Sequence, residues 1–327
     1  MEVESPVGPS EAHPMTSSQV EPKSSTVPTD PVGDRIDLLL AVARALGTGI
    51  PLDEMVSLLP ARGPTAPSEL TAWFRDHPQM GLVREGVVFP SGTETNSQRI
   101  RERIQESARR MEMARAAFDG PLGSLAPFLK FVAVTGSTAF DSAERQDDLD
   151  LFVVTKNGSL WIFLLLAYLL ARFRWDQKTT LCLNYVLDES TARNEFLVSR
   201  RSIFAREALA MKPILNPEYG RKMLARAAWI REFFPRKAKD LGSPSKDAPL
   251  ESHPGAALIS AVVFPLLSSY LMLVGLYRNH RYRGRGEEDG VFRTEVGWGR
   301  LTYRSHKYDR LISLYDEPDS IRLGPKT

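Results

Sequence analysis

Two aspartates, Asp148 and Asp150, stand two residues apart at the start of an apolar run over 149–154. In a strand, residues two apart share a face, so both carboxylates project to one side while Leu149 and Leu151 point to the other. Like charges this close repel each other, and a cation between them removes the repulsion. Because Mg²⁺ prefers oxygen ligands and often binds through one or two carboxylates, the spacing predicts a magnesium site here.

A glycine and a serine precede the aspartates, with ten residues between the two pairs. Gly136 and Ser137 follow another apolar run, 131–135, which predicts a neighbouring buried strand. Glycine adopts backbone angles that other residues avoid, so the amides of this bend could turn toward a phosphate, and the Ser137 hydroxyl adds a donor. A phosphate cradle beside a Mg²⁺ site is typical of phosphoryl or nucleotidyl transfer. The competing interpretation is ordinary solvated turn chemistry with no site.

These residues together resemble the signature of the DNA polymerase beta-type nucleotidyltransferase superfamily: Gly136-Ser137, ten residues, then Asp148-Leu149-Asp150 within an apolar run. The chain is also similar to uncharacterised prokaryotic nucleotidyltransferase-domain proteins at three further places: Leu160-Trp161, Cys182-Leu183-Asn184 and Met211-Lys212-Pro213. The similarity covers roughly residues 35–235, with a weaker match near 305–309.

The resemblance implies a fold and a reaction. The fold is α+β, with a small mixed sheet flanked by helices as the nucleotidyltransferase core. The implied enzyme uses two Mg²⁺ ions held by Asp148 and Asp150, while Gly136 and Ser137 bind the phosphates of an NTP, most simply ATP. A nucleotidyl group would pass to an unidentified hydroxyl acceptor by in-line displacement. A nucleotide-binding or regulatory module of the same fold, catalytically weak or inactive, is the alternative.

The third carboxylate of the superfamily is missing from the strand predicted over 180–187. The superfamily generally places an acid on this strand, near the metal pair, as a base toward the incoming hydroxyl. Strand alternation gives two faces that both lack an acid: Cys182, Asn184 and Val186 on one, Leu183, Tyr185 and Leu187 on the other. An amide such as Asn184 cannot accept a proton as a base. Asp188 and Glu189 follow at the end of the strand. They could either hydrogen-bond within the turn or extend back toward the metal pair.

A small helical unit precedes the candidate site. Apolar spacing predicts three short helices between 35 and 76 and two short strands over 81–89, which is the order of a winged helix. The third helix carries one positive charge, Arg75, against Glu69 and Asp76, and the net charge of the chain is only +2. Because phosphate contacts need Lys and Arg, charge does not favour nucleic acid, and we predict that the unit packs on the catalytic domain.

Composition sets the remaining boundaries. Residues 1–33, rich in Pro, Ser, Thr and Glu, are predicted to be a disordered tail, followed by the winged-helix-like unit over 34–93. A connecting helix with one solvated face is expected over 94–125, the nucleotidyltransferase domain over 126–235, an exposed linker over 236–254 and a C-terminal helical region over 255–327. The single cysteine, Cys182, excludes an internal disulfide.

The C-terminal region contains a candidate membrane segment. Residues 254–277 carry no charge, and four arginines follow at once: Arg278, Arg281, Arg283 and Arg285. Length and flanking charge agree with a transmembrane helix over 255–277. Against this, serines and a proline dilute the apolar run, and the resemblance implies an ordinary amphipathic helix at this place. The first residues have neither a basic start nor an apolar core, so no cleaved signal peptide is expected. The expected location is cytoplasmic, with association to the inner membrane as the alternative.

Overall fold

Helices and two separate sheets make up the part of the chain that the computed structural model describes, namely residues 31–92, 97–174, 181–198, 202–244, 249–286, 290–305 and 309. The larger sheet is mixed and has helices on both faces, which confirms the expected α+β class. The predicted tail lies outside these residues up to Asp30, and the first helix already begins at Pro31.

The N-terminal unit alternates helices with the strands of the smaller sheet. Its elements are α1 (Pro31–Leu46), β1 (Ile50–Pro51), α2 (Leu52–Leu58), α3 (Pro67–Asp76), β2 (Gly81–Arg84) and β3 (Val87–Pro90), and the strands pair antiparallel in the order β1-β3-β2. A tight turn joins β2 to β3, with positive φ at both Glu85 and Gly86. Such a turn matches the twist of the two strands that it connects.

The larger sheet has the strand order β7-β4-β5-β6-β9-β8. Its strands are β4 (Leu129–Val134), β5 (Leu149–Thr155), β6 (Leu181–Asp188), β7 (Lys212–Leu215), β8 (Phe292–Gly297) and β9 (Arg300–Ser305). The β5–β6 pair is parallel and the other neighbours are antiparallel. The predicted strand over 180–187 is therefore present as β6, apart from Thr180, which lies outside the described residues.

Helices cover both faces of this sheet. They are α4 (Ser97–Asp119), α5 (Gly136–Ala139), α6 (Leu160–Arg174), α7 (Glu189–Val198), α8 (Ser202–Ala210), α9 (Pro217–Arg226), α10 (Ala228–Phe233) and α11 (Pro254–Gly284). Apolar side chains of α4, α6 and α11 pack against Val132, Leu151 and Val153 on one face. On the other face, Phe131 and Phe152 belong to a core that continues through α7 to α10 into the N-terminal unit, which therefore packs on the sheet.

Two predicted segments differ from the structure because tertiary contacts involve them. The C-terminal region is not only helical: β8 and β9 form a hairpin that pairs with β6 and extends the sheet, as the alternating pattern over 292–297 allows. The start of the expected linker is not exposed, because Ala238 is fully buried and the Arg236 guanidinium donates to the carbonyls of Ala61 (2.9 Å) and Gly63 (2.5 Å).

The contact between α9 and β4 gives a test of the packing. A Cβ built on Gly220 would lie 2.4 Å from the Phe131 ring, so we expect Gly220→Ala to lower the free energy of unfolding by about 1–3 kcal/mol. Helix propensity alone would raise stability by up to about 1 kcal/mol. The matched control is Gly284→Ala in α11, where a Cβ meets nothing within 4 Å. If urea unfolding gives the two variants the same change in the free energy of unfolding, the close contact between Gly220 and Phe131 is contradicted.

Candidate functional site

The glycine-serine bend lies directly beside one of the two aspartates. The backbone N–H of Thr135, at the end of β4, donates to the carbonyl of Asp150 at 2.9 Å. Gly136 follows with φ +62°, and a Cβ at this position would lie 2.3 Å from Oδ2 of Asp150. Glycine is thus required twice, once by the backbone angle and once by the approach of the carboxylate. The structure therefore brings the bend and Asp150 together.

Asp148 and Asp150 project from the start of β5 on the side opposite to Leu149 and Leu151. Both leucines are fully buried, whereas Asp148 is exposed and Asp150 is only partly accessible. Burial raises the pKa of Asp150 to about 7, and the negative charge of Asp148 adds to the rise. Near neutral pH the second negative charge of this pair is therefore costly unless a cation compensates it.

The donors at this position fit Mg²⁺. Two carboxylates on one face match a hard cation that takes a few protein oxygens and completes its shell with water and phosphate. Among the residues that the structure describes, no three His, Cys, Asp or Glu side chains cluster closely enough to hold an ion by themselves. The nearby Asp147 carboxylate accepts from the Glu144 amide at 2.9 Å and so caps a turn.

Helix α4 holds the loop between the bend and the aspartates. The Arg110 side chain is fully buried and donates to the carbonyls of Glu144 (2.9 Å) and Arg145 (3.1 Å), while Ser107 Oγ accepts from the Ala143 amide at 3.1 Å. The Glu144 carboxylate in turn pairs with two arginines of the same helix, Arg99 at 2.8 Å and Arg103. The connecting helix was expected to have one solvated face, but two of its arginines, Arg103 and Arg110, are buried.

The strand beside the aspartates contains a bulge that changes its predicted faces. Asp150 pairs in register with Cys182, but Phe152 pairs with Tyr185, so β6 has one residue more than β5 between these pairs. The extra residue reverses the alternation. Cys182 and Tyr185 consequently lie on the side of Asp150 and Phe152, and Val186 packs with the opposite core. The prediction that Cys182 and Val186 share a face is wrong.

A thiol occupies the position of β6 that is in register with Asp150. The Cys182 thiol is hydrogen-bonded to Asp150, and burial together with that carboxylate raises the pKa of the thiol far above neutrality. It is therefore protonated and acts as a donor. Cys182 and Asn184 both line a cavity beside the aspartates.

The two acids at the far end of β6 have structural partners. Asp188 accepts from the Ser190 hydroxyl (2.9 Å) and the Thr191 amide (2.8 Å), and Glu189 pairs with Arg193 at 2.7 Å. Because Asp188 is in register with Thr155, five residues beyond Asp150, it lies roughly 16 Å along the strand from that carboxylate. These contacts assign Asp188 and Glu189 to the start of α7.

A cavity of about 1550 Å³ opens beside the aspartates. Gly136, Ser137, Asp148 and Asp150 line it together with charged side chains that come from distant parts of the chain: Lys212, Glu195, Arg278 and Arg300. The Lys212 ammonium contacts the Thr138 carbonyl (3.2 Å) and the Asp141 carboxylate (2.5 Å), beside the bend.

Several lining residues could not be found from sequence spacing. Arg278 reaches the cavity from α11 and lies over the Phe292 ring, 5.2 Å from its centroid. In the sequence it is the first of the four arginines that follow the candidate membrane segment. Glu195 accepts from the Tyr185 hydroxyl at 3.1 Å and pairs with Arg300. Arg300 reaches the cavity because β9 pairs with β6, and no local sequence motif indicates that pairing.

No protein-family model, curated protein or solved structure matches this chain.

The close approach of Gly136 to Asp150 gives a matched test. We expect Gly136→Ala to be destabilised by positive φ and also to displace the Asp150 carboxylate. Gly86→Ala has the same backbone cost at φ +77°, of about 1–2 kcal/mol, but its Cβ meets nothing within 4 Å. Thermal unfolding of both variants measures the difference. Equal losses of stability would mean that Gly136 and Asp150 are not in contact.

The Glu144 ion pairs predict a pH dependence. Hydrogen bonds from Arg99 and Arg103 lower the pKa of Glu144 to about 2 in the folded protein, from an ordinary value of 4.5. A depressed pKa stabilises the fold above the unfolded value, and this contribution is lost as pH falls toward 2. We expect Glu144→Gln to be less stable than wild type by about 1 kcal/mol at pH 7, with the difference shrinking below pH 4.5.

Urea unfolding from pH 7 to pH 3 checks this expectation. The control is Glu112→Gln on the same helix, whose partner Arg115 and whose own side chain are both more than half exposed. Solvent screening should leave that variant within about 0.5 kcal/mol of wild type. A Glu144→Gln deficit that persists unchanged at low pH would show that packing, and not charge, is lost.

Proposed function

We propose that this protein is a Mg²⁺-dependent nucleotidyltransferase that moves a nucleotidyl group from an NTP to a hydroxyl acceptor. One observation carries the proposal: Gly136 lies against the Asp150 carboxylate at the wall of a cavity large enough for a nucleotide. A phosphate-binding bend and a cation-demanding carboxylate pair would then act on the same polyphosphate.

Sheet topology supports the same proposal. The bend follows β4, the aspartates begin its antiparallel neighbour β5, and the next strand, β6, runs parallel to β5 after the α6 crossover. We interpret β4 to β6 with their helices as a nucleotidyltransferase core. We interpret the preceding unit, with its order of helix, strand, two helices and two strands, as a winged helix that serves as a cap. Ion pairs from Glu54 to Lys237 (2.5 Å) and to Arg206 (3.3 Å) fasten it to the core.

Each residue then has a chemical role. Asp148 and Asp150 would hold Mg²⁺, in a two-metal arrangement, and when bound the metal neutralises charge on the phosphates. The Gly136 and Ser137 amides and the Ser137 hydroxyl would bind the β and γ phosphates, with Lys212 adjacent. The acceptor oxygen forms a bond to the α-phosphorus while the bond to the pyrophosphate oxygen breaks, and the acceptor proton passes to a base or to solvent.

A nucleotide-binding module without turnover is the second candidate, and the protonated thiol of Cys182 favours it. At the register position opposite Asp150 the chain offers a hydrogen-bond donor, which cannot accept the acceptor's proton. Glu195 is an acid that lines the cavity, but it is paired with Arg300. Binding of the nucleotide needs only the bend and the aspartates, whereas deprotonation of an acceptor needs one more group.

Calorimetry combined with a transfer assay separates the two candidates. Titration of MgATP and the other NTPs should give Mg²⁺-dependent binding in both cases. Transfer of label from α-³²P-NTP to an acceptor, with release of pyrophosphate, is expected for the enzyme only. Absence of NTP binding in the presence of Mg²⁺ would overturn both.

Asp150→Asn is expected to have opposite effects with and without the metal. Without divalent cations at pH 8, the charged Asp150 destabilises the fold by at most about 4 kcal/mol, so Asn should raise the melting temperature. Because the pKa of Asp150 is raised to about 7, this advantage should vanish as pH falls toward 4. With Mg²⁺ and ATP, wild type should gain stability and the variant should not.

The control for this experiment is Asp76→Asn, which removes an exposed carboxylate at the end of α3. It should leave the melting temperature and its response to Mg²⁺ and ATP close to those of wild type. Equal stabilisation of wild type and Asp150→Asn by MgATP would remove Asp150 from the site.

A further inference from the structure

Helix α11 exposes a continuous apolar face. Seven large side chains at helical spacing are between 59% and 74% accessible: Leu258, Val262, Leu266, Tyr270, Leu273, Leu276 and Tyr277. From Leu258 to Leu276 they follow one another at intervals of three or four residues over five turns, and Tyr277 stands four residues after Leu273, so the seven form one stripe. Soluble monomers rarely expose contiguous apolar patches of more than a few hundred Å², and larger ones mark interaction surfaces. This stripe is therefore a surface that requires a partner.

The opposite face of α11 is fastened to the domain along its length. Ala257 of α11 packs against Gly158, where an added Cβ would lie only 2.7 Å from the Ala257 side chain. The Ile162 amide donates to Ser260 Oγ at 3.2 Å. At the other end, the Asn279 side chain donates to the Phe292 carbonyl (2.6 Å) and accepts from its amide (3.0 Å). The helix is thus fixed on α6 at one end and on β8 at the other.

These attachments argue against a transmembrane orientation of α11. Of the described helices, α11 is the one that is long and apolar enough to cross a membrane. The attached stretch from Ala257 to Asn279 is about 33 Å long, as thick as the hydrocarbon layer. A spanning helix would carry β8, the edge strand of the sheet, into that layer with unpaired backbone groups, which lipid does not tolerate. The apolar face can meet lipid only if the helix lies parallel to the membrane surface.

Charge and aromatic residues match a phospholipid surface. Arg281, Arg283 and Arg285 are exposed at the end of the stripe, and α11 contains no Asp or Glu. The acidic residues 287–289 that follow lie outside the described part of the chain. Exposed Tyr270 and Tyr277 are residue types enriched at the boundary between lipid and water. A second copy of this face would bring arginines but no acidic partner from the helix itself.

We propose that α11 docks on an anionic membrane surface, with its apolar stripe among the acyl chains and its terminal arginines on lipid phosphates. The inner face of the same helix carries Leu271, Gly275 and Arg278, which line the cavity beside the aspartates. Docking therefore places the cavity of the proposed function next to the membrane. The proposal itself rests on α11 and not on catalysis.

Vesicle sedimentation tests the proposal with the full-length protein. Wild type should sediment with vesicles of phosphatidylcholine containing one third phosphatidylglycerol, and less with phosphatidylcholine alone. The double substitution Leu266→Glu, Leu273→Glu should reduce the bound fraction at least tenfold. Arg281→Gln with Arg283→Gln should reduce binding several-fold and weaken its salt dependence. Leu82→Glu, a substitution of an equally exposed leucine on β2, is the control and should bind as wild type does.

Labelling distinguishes an in-plane helix from a spanning one. In a Cys182→Ser background, single cysteines at Gly255 and Gly284 have room at both ends of α11. Both should react with a membrane-impermeant maleimide added outside sealed vesicles, whereas a spanning helix would protect one end and overturn the in-plane proposal. Failure to bind vesicles would overturn it as well. A dimer that the Leu266→Glu, Leu273→Glu substitution dissociates, without vesicle binding, would assign the stripe to contact between copies.

Each of these readouts is independent of nucleotide. Vesicle binding that survives Asp150→Asn would leave the docking intact even if nucleotidyl transfer failed its own test.

Discussion

Burial of the Asp150 carboxylate beside a second carboxylate, Asp148, is the constraint on which the candidate site depends. Leu149 and Leu151 are fully buried on one face of the strand, so strand alternation directs Asp148 and Asp150 to the opposite face. The bend at Gly136 closes over Asp150 and deepens its burial, which raises the pKa of that carboxylate to about 7. The fold thus creates a site where a bound cation is favoured, and a cation with an attached polyphosphate would fill it.

The surrounding architecture serves to keep that arrangement fixed. Helix α4 secures the loop between bend and aspartates through buried Arg110 and Ser107, so ten residues of loop cannot relax the distance between the two parts of the site. Burying a guanidinium is costly unless its donors are paired. Nε of Arg110 is paired with Glu106 at 2.9 Å and Nη2 with two loop carbonyls, while Nη1 has no partner among the described residues. Because a buried ion pair adds little net stability, the main effect of Arg110 is to fix the position of the loop.

Sequence patterns predicted the regular parts of the molecule and missed the irregular ones. The faces of β5 and the bend at Gly136 follow from local periodicity and residue type, and the mixed sheet was expected from the resemblance to nucleotidyltransferases. The bulge in β6 does not, because one inserted backbone residue leaves no signature in residue types, yet it moves Tyr185 to the side of Asp150. The contacts of Arg110 and Arg278 do not follow from the sequence either, because only tertiary packing decides where a long cationic side chain ends.

The C-terminal hairpin has a consequence for the order in which the protein can be made. Strand β6 has β9 as its second neighbour, and Leu301 in that strand is fully buried. A nascent chain therefore leaves one edge of β6 unpaired until more than one hundred further residues have left the ribosome. Open strand edges invite mispairing, so this interval is a natural point for a chaperone to act and a reason why shortened versions ending near residue 254 should aggregate.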